Sequence, residues 1–190
     1  GVDDVLDFDN DTYWDYYTTD NLTWTTWIKL TGPTGSDGGY LIGDGGGPLI
    51  FLDRVSASTY QICWVTADPA CSSTQTFAYN KWYHIGVVKE GTSNVKIYRD
   101  GILLTTDTSL SEGNDYESTM EILGGGSTWR FKGVIDEVRF YRHLRTQEQI
   151  VQDMNGGHPV PGSPIGSTVA WYKFDEGYGD NAYNSGNGGT

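Results

Sequence analysis

Short runs of apolar and Thr-rich positions, bounded by Gly, Asp or Asn, recur along the chain, and several of them alternate between apolar and polar residues. The alternation is clear in residues 59–66 (TYQICWVT), as expected for a strand with one buried face. Similar runs occupy residues 21–30, 40–42, 49–52, 82–89, 95–98, 102–106, 121–123, 134–141 and 168–174. About ten short strands separated by turn residues predict an all-β fold, a two-sheet antiparallel jelly-roll sandwich.

Two local signals add detail to this pattern. Asp100-Gly101 lies between two apolar runs, which is a strong hairpin signal. Thr146 and Gln149 have the spacing of a helix capping box and precede Ile150 and Val151. The sequence therefore predicts one short helix, which ends at the Gly pair 156–157.

The segment after this helix has a different composition. Residues 158–164 (HPVPGSP) contain three Pro, which interrupt any strand ladder. We therefore predict a body over residues 1–157, a Pro/Gly linker over 158–167, and a C-terminal strand and loop over 168–190.

Composition and charge narrow the function classes. The 190 residues include 12 Lys and Arg against 25 Asp and Glu, for a net charge of −13, and residues 1–20 carry seven Asp and no basic residue. Such a charge argues against nucleic-acid binding and against anionic membrane surfaces. No apolar run approaches the roughly 18–20 residues that span a bilayer, so no membrane insertion is predicted.

The two cysteines, Cys63 and Cys71, flank a turn signal at Asp68-Pro69. Two extended segments that return on each other could form a hairpin disulfide, and two free structural thiols are the alternative. The spacing fits no paired zinc pattern. A disulfide implies an oxidising compartment, so we expect an extracellular or cell-surface protein.

Three segments in this order carry a family resemblance: residues 81–101 (KWYHIGVVKEGTSNVKIYRDG), 133–150 (GVIDEVRFYRHLRTQEQI) and 171–189 (WYKFDEGYGDNAYNSGNGG). They resemble the laminin-G-like, concanavalin A-like jelly-roll domains that are common in bacterial and archaeal surface and secreted proteins. The resemblance implies the same fold.

The third segment is displaced relative to the family order. It resembles the family's first strand and first loop, whereas residues 1–8 resemble the part that follows that loop. The last strand could therefore fill its own missing slot, fill the slot of a neighbouring copy, or begin a further repeat. The leading hypothesis is a surface filament or repeat subunit that joins copies of itself head to tail. The strand-exchange residues would be Val169, Trp171, Tyr172 and Phe174.

The resemblance also implies one structural calcium ion near the displaced loop. Strand alternation would place Asp136 on one face with Val134, Val138 and Phe140, where its carboxylate needs a partner. The predicted ligands, which carry oxygen as calcium requires, are Asp136, Asp175, Asn184 and Asn187. The alternative is an Asp136 held by backbone amides and by Arg139 or another nearby cation.

The sequence favours a non-catalytic protein. No strand carries the alternating carboxylates of the related glucanases, and the adjacent Asp136 and Glu137 would face opposite sides of a strand. The alternative to the filament hypothesis is a carbohydrate-binding or adhesion module. Its candidate sugar-stacking residues, chosen because they lie in or beside polar turns, are Trp14, Trp64, Trp129 and Tyr178. Four other tryptophans, Trp24, Trp27, Trp82 and Trp171, are predicted to lie in the core or at its edge.

Overall fold

The computed structural model describes residues 6–8, 21–34, 38–44, 47–65, 68–110, 120–122, 131–156, 168–175 and 182–186. The strands are β1 (Leu6–Phe8), β2 (Leu22–Leu30), β3 (Gly38–Asp44), β4 (Gly47–Arg54), β5 (Thr59–Trp64), β6 (Ala70–Cys71), β7 (Gln75–Thr76), β8 (Trp82–Glu90), β9 (Asn94–Arg99), β10 (Ile102–Asp107), β11 (Met120–Ile122), β12 (Gly133–Tyr141) and β13 (Thr168–Tyr172). The helix α1 spans Gln147–Asn155. The predicted linker at 158–167 lies outside the described residues.

The strands form two antiparallel sheets. In the described part of the chain, the first sheet has the order β1-β11-β3-β4-β5-β6, with β7 also paired to β5, and the second has the order β10-β9-β8-β2-β12-β13. This architecture confirms the predicted jelly-roll sandwich. The sequence pattern missed β1, β6 and β7, which have only two or three residues each.

The core lies between the two sheets, and β2 shows how the sequence builds it. Leu22, Trp24, Ile28 and Leu30 share one face of this strand and are almost fully buried in the core. Trp24 stacks on Phe140 of β12, with 4.2 Å between the ring centroids. The odd-numbered positions of β2 therefore point to the outer face of the second sheet.

Helix α1 covers part of that outer face. The predicted capping box is present: Gln149 N donates to Thr146 Oγ1, and Thr146 N donates to Gln149 Oε1. Ile150 packs against Val88 and Tyr98. A Cβ atom at Gly86 would lie 3.2 Å from Ile150 Cγ2, so the glycine lets the helix approach the sheet closely.

The last strand pairs within its own chain. β13 is antiparallel to β12, and Tyr172 also bridges to Asn184 in the tail. Tyr172 belongs to the core, and Phe174 packs against it. The motif order left three arrangements open for the last strand. In this structure β13 fills a place in the sheet of its own chain. The exchange of this strand between copies stays a prediction.

The cysteine prediction is confirmed. Cys63 on β5 and Cys71 on β6 are paired across the hairpin and joined by a disulfide bond. Neither thiol is free. The bond closes a short loop, because the two residues are eight positions apart.

The predicted face of β12 is wrong. The ladder register shifts between Asp136 and Arg139, and Glu137 has a φ of 50°. This bulge reverses the alternation, so that Ile135 points into the core and Val134 is 42% exposed. Asp136 therefore lies on the outer face of the sheet, away from the core.

Candidate functional site

Six side chains from the three central strands of the second sheet point away from the core. Their immediate chain neighbours Ile28, Tyr83 and Ile135 belong to the core, so strand alternation places the six on the opposite face. We call this set the tryptophan grid. It consists of Trp27 and Lys29 on β2, Trp82 and His84 on β8, and Val134 and Asp136 on β12.

The ladder register fixes the rows of the grid. Trp27 lies directly between Asp136 and His84, and Lys29 lies directly between Val134 and Trp82. Side chains that face each other across neighbouring strands have Cβ atoms about 4.5–5.5 Å apart, and diagonal neighbours are still within reach of large side chains. The grid is therefore one continuous surface.

The two tryptophans are partly exposed, and each is held by a neighbour. The ring of Trp27 meets the imidazole of His84 edge-on at 5.3 Å between centroids. The ammonium of Lys29 lies 4.7 Å from the centroid of the Trp82 ring. Cation–π contact of this kind positions both partners and leaves part of the ring open.

His84 is the buried member of the grid, and its side chain is neutral. It is only 2% exposed, and burial, with a smaller effect from Arg139, lowers its pKa to about 3. Its backbone amide donates to Asp100 Oδ1, and Asp100 N donates back to the carbonyl of His84. The uncharged imidazole therefore packs against Trp27.

Asp136 is the carboxylate of the grid. Its Oδ1 accepts a 2.8 Å hydrogen bond from the backbone amide of Glu137, which is part of the bulge. Burial raises the pKa of Asp136, and the charges of Glu137 and Asp175 raise it further against the opposing effect of that hydrogen bond. Asp136 is therefore held by a backbone amide, as in the alternative to calcium.

Among the predicted calcium ligands, Asp175 lies near enough to Asp136 for its charge to raise the pKa of that carboxyl. The carboxamide oxygen of Asn184 accepts hydrogen bonds from Trp171 N at 3.0 Å and Gly186 N at 2.7 Å, which occupies both of its lone pairs. Within the described ranges, no three His, Cys, Asp or Glu side chains are arranged to hold a metal. Asn187 lies outside these ranges. Asn184 therefore pins the tail to β13, and the calcium ion stays a prediction.

A charged network that the sequence did not indicate lies beside the grid. Asp153 of α1 is buried and accepts hydrogen bonds from Arg145 Nη2 at 2.6 Å and Tyr141 Oη at 2.9 Å. Arg139 Nη1 donates to the carbonyl of Asp153, and its Nη2 donates to Glu137 Oε2 at 2.7 Å. The network fastens the helix to β12.

The predicted sugar-stacking residues do not form a site in the described part of the chain. Trp64 is 0% exposed and belongs to the core, so that prediction is wrong: a buried ring cannot stack on a sugar. Trp14, Trp129 and Tyr178 lie outside the described residues. The sequence pattern predicts that Trp27 and Trp82 lie in the core or at its edge, whereas both rings are partly exposed on the outer face. The sequence does indicate the outer face for Trp27, because Trp27 and the charged Lys29 are two positions apart on β2 and so lie on the same side of the strand.

The fold and this surface define a jelly-roll domain of the concanavalin A-like class. The chain belongs to the Laminin_G_3 family of the concanavalin A-like lectin/glucanases superfamily, whose sequence profile matches residues 1–151. A comparison with curated proteins finds no match. No helix in the described segments is long and apolar enough to cross a membrane.

Several solved structures share the fold. A candidate carbohydrate-binding protein from Bacteroides ovatus superposes with a TM-score of 0.66 at 20% identity, over 88% of this chain and 50% of its own, so this chain spans half of that protein. Domain 4 of the extracellular arabinanase AbnA from Geobacillus stearothermophilus, in complex with arabinotriose, has a TM-score of 0.57 at 15% identity, over 73% and 68% of the two chains. An SAP-like pentraxin from Limulus polyphemus has a TM-score of 0.56 at 18% identity, over 70% and 69%.

Proposed function

We propose that this chain is a non-catalytic, extracellular carbohydrate-binding module and that the tryptophan grid is its binding surface. The observation that carries the proposal is the pair of partly exposed indoles, Trp27 and Trp82, on one outward face with charged groups at their sides. An exposed aromatic ring offers an apolar, flat surface, and the polar neighbours fix orientation by hydrogen bonds.

The chemistry of the grid suits a sugar. One face of a pyranose ring presents C–H groups that pack on an indole, whereas its hydroxyls need donors and acceptors around the edge. The ammonium of Lys29 provides donors, and the carboxylate of Asp136 provides acceptors. Both flank Trp27, and Lys29 also contacts Trp82.

The comparisons supply independent support. The arabinanase domain that shares this fold is in complex with arabinotriose, and the Bacteroides ovatus protein is a candidate carbohydrate binder. A domain of the same architecture can therefore serve a sugar-binding role. The disulfide between Cys63 and Cys71 supports an extracellular location, because such bonds persist in oxidising compartments.

The arrangement of carboxylates supports a binding role over hydrolysis. Glycoside hydrolysis uses two carboxyl groups that flank the scissile bond. Glu137, the carboxylate next to Asp136, accepts hydrogen bonds from Arg139 and from the Trp171 indole. Its oxygen is thus committed to the structural network.

Strand exchange into a filament, the leading hypothesis from the sequence, gains no support from the pairing observed here. β13 completes its own sheet through β12, and the side chains of Tyr172 and Phe174 pack on the core of the same chain. The carbohydrate-binding alternative is therefore the function we put forward.

A glycan array with the purified chain, followed by calorimetry on the best ligand, tests the proposal. Trp27→Thr and Trp82→Thr should each weaken binding by about tenfold or more, because a central aromatic contact is lost. Tyr183→Thr is the matched control, since Tyr183 is 65% exposed and lies outside the grid. Thermal melts verify that all variants fold. Unchanged affinity in both tryptophan variants, or no glycan binding by the intact chain, would refute the proposal.

A further inference from the structure

We propose that the sugar bound at the tryptophan grid carries an isolated acidic group, a carboxylate or a sulfate, which Lys29 and Lys132 receive. This inference rests on the proposed function and adds the chemical class of the ligand. It follows from how charge is distributed along the three strands of the grid.

Lys132 extends the basic end of the grid by one position. Thr31 N donates a 3.0 Å hydrogen bond to the carbonyl of Lys132, which continues the pairing of β12 with β2 beyond Gly133. Alternation places Lys132 on the same outward side as Val134. Its side chain lies over the segment that follows β2, because a Cβ atom at Gly32 would lie 3.1 Å from Lys132 Cε and 3.2 Å from its Nζ.

The two ammonium groups at this end have no acidic partner within the described part of the chain. Lys29 contacts the Trp82 ring, and no carboxylate of the described residues lies within salt-bridge distance of Lys29 or Lys132. Two other basic groups of the second sheet are paired with carboxylates: Lys96 lies 3.8 Å from Glu90, and Arg139 lies 2.7 Å from Glu137. Among the described residues, the basic end of the grid therefore presents two ammonium groups that no carboxylate neutralises.

The opposite end of the grid is acidic. Asp136 lies four residues from Lys132 along β12, about 13 Å at strand rise, and the charges of Glu137 and Asp175 act on it. A sugar unit placed over Lys132 therefore lies beyond hydrogen-bond reach of Asp136. An acidic substituent is attracted to the lysine end, while the hydroxyls of a neighbouring unit can donate to Asp136.

The overall charge favours an isolated acidic group over a polyanion. The chain carries −13, so a polymer with a charge on every unit meets repulsion from the carboxylates beyond the grid. Salt screens charges beyond about 8 Å, so a single acidic group responds mainly to the two nearby ammonium groups. The two ammonium groups attract an acidic unit, and the net negative charge of the chain repels a polyanion. A glycan with one or few acidic units is therefore favoured.

Matched pairs of glycans test the inference. The probes are sialyllactose with lactose, a glucuronic acid-terminated oligosaccharide with its glucose-terminated counterpart, and a sulfated galactoside with the unsulfated one, together with heparin as the polyanion. We expect the acidic member of at least one pair to bind about fivefold tighter or more, as one or two surface charge contacts allow. This preference should shrink as NaCl is raised.

Variants then locate the charge contact. Lys132→Gln should lose most of the acidic preference while retaining the affinity for the neutral counterpart. Lys29→Gln should lose the preference and also weaken the neutral counterpart, because Lys29 contacts the Trp82 ring. Lys96→Gln, which removes the same charge from a paired lysine on β9, is the control and should keep the preference. Trp27→Thr reports separately on stacking, since it should weaken acidic and neutral members alike.

The outcomes separate the two proposals. Equal binding of acidic and neutral members, or tighter binding of heparin than of any single-acid glycan, with affinity still dependent on Trp27, would overturn the acidic class and leave the carbohydrate-binding function intact. An unchanged preference in both lysine variants would also overturn it. No binding of any glycan would refute both.

Discussion

The indole Nε1 of Trp171 donates a 2.6 Å hydrogen bond to Glu137 Oε2, the same oxygen that accepts from Arg139. The guanidinium of Arg139 also lies 4.7 Å from the centroid of the Trp171 ring. The carboxylate sits in the β12 bulge, so the irregular residue of one strand fastens the outermost strand of the sheet. This contact ties β13 to β12 of the same chain.

Replacement of Trp171 by Phe should lower the free energy of unfolding by about 2 kcal/mol, because a hydrogen bond to a charged acceptor is lost while a six-membered aromatic ring remains. Urea unfolding monitored by circular dichroism measures the change. Trp82→Phe is the control, since Trp82 also contacts a cation but its indole donates no hydrogen bond within the described residues. Equal effects of the two substitutions would show that the Glu137 contact adds nothing.

Asp153→Asn should destabilise the fold by about 3 kcal/mol, because Arg139 and Arg145 would be left buried beside a neutral group. Denaturant unfolding provides the measurement. Glu90→Gln is the comparison, because its pair with Lys96 is exposed and should contribute less than about 1 kcal/mol. A loss at Asp153 no larger than that at Glu90 would contradict the structural role of the network.

His84 should make stability fall on acidification. Its pKa is about 3 in the folded chain and 6.5 when unfolded, so between these values the unfolded state binds more protons. The free energy difference between the wild type and His84→Gln should be constant above pH 6.5 and should move against the wild type below it, by up to about 1.4 kcal/mol per pH unit. Unfolding curves across this range test the slope. A difference that does not vary with pH would mean that His84 titrates normally.

The predicted calcium ion has a direct test. If Asp136 and Asp175 take part in a structural site, exhaustive chelation should lower the melting temperature and calcium should restore it, because a ligand bound only by the folded state stabilises it. Asp136→Asn should abolish this response. A melt that is identical with and without chelator would remove calcium from the description of the domain.

The position of β13 predicts a monomer. A strand that completes its own sheet leaves no vacant slot for a neighbour, so the mass in solution should remain that of one chain as concentration rises. Light scattering coupled to size-exclusion chromatography measures it. Polymers that disappear when residues 168–190 are deleted would instead support strand exchange.

Much of the fold was readable from the sequence, because period-two alternation and turn chemistry act locally. The capping box at Thr146 and the cysteine hairpin needed only short spacings, and both formed as expected. The β12 bulge could not be read in this way. Glu137 adopts a positive φ, and its side chain and backbone amide contact Arg139, Trp171 and Asp136, which strand alternation does not indicate.

The tryptophan grid was harder to predict for a related reason. Exposure of a tryptophan depends on which sheet face the helix covers, and that is a tertiary property. Trp64 lies on the face of β5 that is buried in the core. Trp27 lies on the outer face of β2, outside the region of that sheet face that Ile150 of the helix covers. The odd or even position of a tryptophan within its strand indicated which sheet face it lies on. Proximity to polar turns did not indicate exposure.

The two neighbours of β2 in the sheet are synthesised long after β2 itself. Thr26 Oγ1 donates to the carbonyl of Asp136, a partner 110 residues later in the chain. At roughly 5–20 residues per second, about 5–20 s pass between the emergence of these two residues from the ribosome. Throughout that interval one long edge of β2 is open, with Trp24 and Ile28 lacking part of their cover. A nascent chain of this domain therefore needs protection from association until β12 arrives, and its yield should respond to chaperone supply more than its final stability would suggest.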